Sequence, residues 1–133
     1  DDQLMAILPP THPLVEADRF PVERLRQEPF IEFLPGQETD NSRMLQQLQI
    51  RPKIRFATSD SRAAIAMVRA GLGITLLNDI LTADLADGVA VLPLDPPQSV
   101  HLGIALPEEE HVSPAAKRFI TYALDRLPEL DVL

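Results

Sequence analysis

Short apolar runs alternate with segments of helical period along this chain. Gln3-Leu4-Met5-Ala6-Ile7-Leu8 is apolar almost throughout and stops at Pro9-Pro10, which predicts a buried strand. Thr11-His12-Pro13-Leu14 reads as a turn, because a residue before proline is pushed out of the helical region. Pro21 to Leu25 is a short helix with proline in its first turn, and Pro29 to Leu34 a second strand ended by Pro35-Gly36. Met44, Leu45 and Leu48 have helical spacing behind Thr39 or Asp40 as the cap. Ile54-Arg55-Phe56-Ala57 is a third strand, and Ser59 or Asp60 caps the next helix. That helix carries Ala64, Ile65, Val68 and Leu72 on one face and ends at Gly71. Gly73 to Leu77 follows as a strand, Asn78 caps a helix to Asp87-Gly88, and Val89 to Leu94 is another strand. Val100 to Leu106 is the clearest strand after Asp95-Pro96-Pro97-Gln98. Ser113-Pro114 then starts a last helix with Phe119, Ile120, Ala123, Leu124 and Leu127 in one stripe.

Near-continuously apolar strands separated by amphipathic helices predict an α/β fold with mainly parallel sheets covered on both faces. The doublets Pro9-Pro10 and Pro96-Pro97 bracket the centre of the chain and suggest two crossings between lobes. A cleft between two such lobes is where small ligands bind.

Composition narrows the function classes. With 133 residues the chain has the length of about one domain, and 45% apolar against 24% charged residues is ordinary globular composition. Cysteine is absent, which removes disulfide scaffolds, thiol catalysis and cysteine zinc sites. No apolar run approaches the length of about 18 residues that a membrane-spanning helix needs. The net charge of −8 repels nucleic acid on average. The charge is uneven: nine of the twelve Lys and Arg residues lie between Arg19 and Arg69, interleaved with Gln and Leu rather than clustered. The start at Asp1-Asp2, with no charged-then-apolar leader, leads us to expect a piece of a longer protein.

Catalytic chemistry is thin. His12, His101 and His111 are too scattered for a triad or a metal site, and His101 reads as a hydrogen-bonded core histidine. Glu108-Glu109-Glu110 is an exposed acidic turn, and Gly71-Leu72-Gly73 lacks the spacing of a dinucleotide loop. One arrangement suggests ligand work. Phe56-Ala57-Thr58-Ser59-Asp60 places hydroxyls at a strand end that opens onto a helix N-terminus, a setting for an anionic or carbonyl group. The same residues also serve as an ordinary cap.

Ala57-Thr58-Ser59-Asp60 followed by Val68-Arg69-Ala70-Gly71-Leu72-Gly73-Ile74 resembles the central stretch of the effector-binding domain of LysR-type transcriptional regulators. Pro10-Thr11-His12-Pro13-Leu14, Arg24-Leu25 through Glu28-Pro29-Phe30-Ile31, and Val112-Ser113-Pro114 through Phe119-Ile120 match further segments of that family in the same order. The resemblance runs from about residue 3 to residue 127. It implies a two-lobed, type II periplasmic-binding-protein-like fold. Residues 10–97 would be a complete second lobe; residues 1–9 would be a strand and 98–133 the return segment of a partial first lobe. The family's DNA-binding domain, linker helix and opening half of the first lobe have no counterpart here.

Carried onto this chain, the resemblance implies effector contacts at Thr11, at Phe33, Pro35 and Gly36, and at Thr58, Ser59 and Asp60, with Ser59 foremost. Asn78 departs from the pattern, where proline is common. The resemblance further implies a small-molecule effector, a homo-oligomer (dimer or tetramer), DNA contact only through the absent N-terminal domain, a cytoplasmic setting, no cofactor and no metal. The surplus of Arg in residues 19–69 favours an anionic effector. An incomplete first lobe is expected to expose apolar edge and face and to self-associate. Two other readings share the fold: a stand-alone solute-binding protein, and an enzyme for which Asp60 near Thr58 is the only candidate pair.

Overall fold

The computed structural model describes residues 1–107 and 112–126, which separate into two units: Asp2–Val100, and the residues from His101 onward together with Asp1.

The first unit is built on β1, Asp2–Leu8, whose alternating side chains feed two cores. Leu4, Ala6 and Leu8 join Phe20, Leu25, Phe30, Met44, Ile74, Leu76 and Leu94 on one face. Met5 and Ile7 join Ile31, Ile65, Val68 and Leu77 on the other. A strand buried on both faces reads as a continuous apolar run, which is why this segment is so plain in the sequence.

Five further strands belong to this unit with β1: β2 Phe20–Pro21, β3 Pro29–Phe33, β4 Lys53–Thr58, β5 Thr75–Asn78 and β6 Ala90–Asp95, followed by the short β7 Ser99–Val100. Their order is β2-β6-β1-β5, with β7 on the start of β1. The pair β3-β4 attaches through Phe30 opposite Ile74. The strand directions are mixed, a correction to the mainly parallel sheet expected from the pattern. β2-β6, β3-β4 and the β3–β5 bridge are parallel, but β1 runs antiparallel to β5, β6 and β7. Apolar runs show that a strand is buried and not which way its neighbours run.

β1 is hydrogen-bonded inside the sheet that residues 20–95 complete, within the unit Asp2–Val100. Gly73 lets β5 reach β3. Its φ is +156°, and a Cβ there would stand 2.5 Å from the Pro29 carbonyl oxygen, which accepts a hydrogen bond from Ile74 N at 2.9 Å.

Two helices cover the β3–β4 edge. α1, Asp40–Gln47, starts in a capping box: Thr39 Oγ1 accepts from Ser42 N while Ser42 Oγ accepts from Thr39 N. α2, Ser61–Arg69, buries Ala64, Ile65 and Val68 and is followed by Ala70 and a left-handed Gly71. A 3-10 helix at Val22–Arg26 stands where the short helix was expected. The expected helix from Asn78 to Asp87 shrinks to a 3-10 turn, Asp79–Leu81, followed by turns. Thr82 Oγ1 donates back to Asp79 O at 2.7 Å, a side-chain bond of the kind that competes with helix continuation.

In the second unit, α3 is Pro114–Arg126, with Ser113 Oγ accepting from Ala116 N. None of its residues is buried; Phe119 is 66% and Leu124 58% exposed. Residues 101–107 are irregular, against the strand expected at Val100–Leu106. Only Val100 pairs, through β7, because among the described residues no strand lies beside 101–106. His101, expected in a core, is exposed with Nδ1 at 2.7 Å from Asp1 Oδ1. Glu108, Glu109, Glu110, His111 and Leu127 lie outside the described residues.

Candidate functional site

Parallel pairing sets the candidate residues in place. β3 and β4 end together, with Phe33 opposite Thr58 and Leu34 N donating to Thr58 O at 2.9 Å. Each strand then turns into a helix. After β3, Leu34 and Gly36 take positive φ (54° and 74°), Pro35 sits between them, and Gln37 N closes the turn on Leu34 O. After β4, Thr58 Oγ1 accepts from Asp60 N at 3.1 Å, and Asp60 Oδ1 accepts from Arg62 N and Ala63 N at 2.8 and 3.0 Å. Asp60, not Ser59, is therefore the cap of α2.

Phe33, Pro35, Gly36, Thr58, Ser59 and Asp60 thus form one rim at the carboxyl ends of two parallel strands, where α/β sheets place ligands. Their chemical availability differs. Asp60 Oδ1 and Thr58 Oγ1 accept from backbone amides of their own segment. Ser59 is exposed, and its hydroxyl makes no hydrogen bond among the described residues. Because Asp60 takes two amides of α2, this helix start offers an incoming anion less than an uncapped one would. Among the described residues the Ser59 hydroxyl is the polar rim side chain that neither donates nor accepts a hydrogen bond.

Thr11 is not brought to this rim. β1 runs antiparallel to β5, which is parallel to β3, so the carboxyl end of β1 lies at the amino end of β3. The neighbouring His12 fixes that location: its Nε2 is 3.3 Å from Glu28 Oε1, just before β3 begins. His12 Nδ1 accepts from Leu14 N at 3.1 Å, so the ring proton belongs on Nε2, facing the carboxylate. The histidine is buried against Phe20 and ties the turn after β1 to the start of β3. It is a structural device.

The end of the crossing strand that does reach the rim side of the sheet is its start. Asp2 Oδ1 accepts from Gln3 N at 2.8 Å and Ile80 N at 3.3 Å, while Asp2 Oδ2 is enclosed with no partner among the described residues. Only strand direction, which the apolar pattern does not encode, separates Asp2 from Thr11 as the rim-side residue. Asn41 was also missed. Its Nδ2 donates to Leu76 O at 2.8 Å across the core, and one polar residue at a buried helical position was the available signal. Among the described residues no group of His, Asp and Glu could hold a metal ion, and no helix is long and apolar enough to cross a membrane.

Comparison with known proteins identifies the family. The LysR substrate binding domain family matches residues 1–128. The HTH-type transcriptional regulator YnfL of Escherichia coli (strain K12) is 26% identical over 131 residues, which cover 95% of this chain and 44% of YnfL. The C-terminal domain of a probable LysR family transcriptional regulator from Rhodococcus sp. RHA1 superposes with a TM-score of 0.74 at 23% identity, over 92% of this chain and 63% of that one. The effector binding domain of QuiR in complex with shikimate does so with a TM-score of 0.70 at 22% identity, over 93% and 61%. The chain spans less than half the length of the curated relatives it matches. Its mixed α/β architecture is that of the type II periplasmic-binding-protein-like domains of these regulators. By sequence and by fold, the chain belongs to the LysR substrate-binding domain family.

Proposed function

We propose that this chain is the metabolite-sensing part of a cytoplasmic transcriptional regulator. A small acid binds at the rim of Phe33, Pro35, Gly36, Thr58, Ser59 and Asp60, and its preference for one of two arrangements shifts an oligomer between DNA-binding states. In this reading Asp2–Val100 is one lobe, the residues from His101 onward belong to the other, and DNA is contacted by a segment outside this chain. The net charge of −8 agrees with that division of labour. The observation that carries the reading is the free Ser59 hydroxyl at the joint ends of β3 and β4, in a chain whose family binds small molecules. Shikimate, held by QuiR, carries a carboxylate, which supports an acid as the ligand class.

Binding fits the rim better than catalysis. The candidate pair Thr58 and Asp60 is engaged in hydrogen bonds that shape its own turn. A stand-alone solute-binding role is disfavoured by relatives such as YnfL, an HTH-type regulator.

The test is a thermal-shift screen of small metabolic acids, read with a dye because tryptophan is absent, on this chain and on a version extended to the length of its relatives. A ligand at about 100 times its dissociation constant stabilises by about 2.7 kcal/mol. Wild type is expected to shift with one acid and Ser59→Ala to lose most of that shift. Equal shifts in both proteins would move the site away from Ser59. Silence of the extended protein across the panel would count against an acid effector.

A further inference from the structure

On the α1 face of the β3–β4 edge lies a groove of about 340 Å³, between Phe30, Glu32 and Ile54 on the strands and Asn41, Leu45 and Ile50 on the helix side. Its volume is in the range of small-molecule sites. Two of its residues lack what their chemistry asks for. The half-buried Glu32 carboxylate has neither ion pair nor side-chain hydrogen bond among the described residues. Asn41 is 8% exposed, and its Oδ1 is enclosed with no donor while its Nδ2 is fixed on Leu76 O. A buried acceptor left unpaired is costly, and native structures leave few of them.

Register brings the two acceptors to one level. Phe30 stands opposite Ile74 in parallel pairing, so Glu32 and Leu76, each two residues further on, share a height and a face. Asn41 is pinned at that height by Leu76. The neighbouring acids do not compete, since Glu38 and Asp40 already face Arg43 at 2.9 and 3.7 Å. Arg51 also lines the groove, but it precedes β4, whose Ala57 is the residue that pairs with Glu32.

We propose that this groove is a second small-molecule site, which takes a compound with an apolar body and a protonated amine received by Glu32 and Asn41. An amine supplies the charge that Glu32 lacks and the donors that Asn41 Oδ1 lacks, while Phe30, Leu45, Ile50 and Ile54 cover the body. The site adjoins the Ser59 rim, since Phe33 lines both, but Glu32 and Asn41 are not rim residues and the charge preference is opposite, so it does not depend on the effector reading.

The test is an amide NMR titration of the 133-residue chain with hexylammonium, beside hexanol and hexanoate as controls. Saturable shifts are expected at Glu32, Asn41, Leu45 and Ile54 with the amine, and binding at least tenfold weaker for both controls. Glu32→Gln should weaken the amine about tenfold, the scale of one charge-assisted hydrogen bond, without lowering the melting temperature. Ser59→Ala should leave it unchanged. No saturable shift in the groove up to about 10 mM amine, a range that still registers millimolar binding, would overturn the proposal. Equal affinity for the three head groups would overturn it as well, and so would an unaltered affinity in Glu32→Gln. Shifts confined to residues 35–36 and 58–60 that vanish in Ser59→Ala would assign the amine to the rim instead.

Discussion

α2 and α3 carry apolar stripes at the same helical period and end in opposite states. α2 lays Ala64, Ile65 and Val68 against the second core, and all three are buried. α3 offers Phe119, Ile120 and Leu124 and buries none of its residues. The strands repeat the contrast: β1 is hydrogen-bonded to three neighbours, whereas 101–107, with Leu102, Ile104 and Leu106 about half exposed, forms no ladder. An amphipathic pattern states which face must be covered and is silent on what covers it. In Asp2–Val100 the cover is intramolecular. The described residues from His101 onward hold apolar surface, such as Leu102, Phe119 and Leu124, of the kind that marks an interface or invites self-association.

Substitutions can break this contrast. The largest effect belongs to β1: Ile7→Ala should lower the unfolding free energy by about 2–5 kcal/mol, read by urea denaturation, since Ile7 is fully buried. His12→Ala should cost about 1–3 kcal/mol in the same measurement, because Leu14 N and Glu28 lose a buried partner together. Asp60→Ala should cost about 1 kcal/mol through the lost cap of α2, and Asp60→Asn should restore most of it. The smallest change in stability belongs to α3. Phe119→Ser should move it by less than about 0.5 kcal/mol while reducing self-association in sedimentation. A larger loss would mean that α3 has a cover of its own.

The elements of Asp2–Val100 were legible because each rests on local chemistry: proline stops, Thr39 and Asp60 as caps, Gly71 after α2. The rim was legible in part, since strand ends followed by caps point to Phe33 through Gly36 and Thr58 through Asp60. That Thr11 lies away from the β3–β4 rim was not legible, because its position depends on β1 running antiparallel to β5, and direction arises from how the chain closes over many residues. The Asn78 helix failed because Asp79 and Thr82 hold a tighter turn. Asn41 and Glu32 gained meaning only when Leu76 fixed their common height.

The pairing of β1 also sets an order of events during synthesis. Its neighbours are Thr75–Asn78, Ala90–Asp95 and Ser99–Val100, all far downstream. At about 5–20 residues per second, β1 leaves the ribosome several seconds or more before these downstream partners exist. β3, α1 and β4 need no such wait, because their pairing spans adjacent segments. Among these pairings, β3 with β4 is therefore the first that synthesis makes possible, and the ladder of β1 the last. In that interval Leu4–Leu8 is the segment a chaperone would hold, and slowing translation lengthens its exposure.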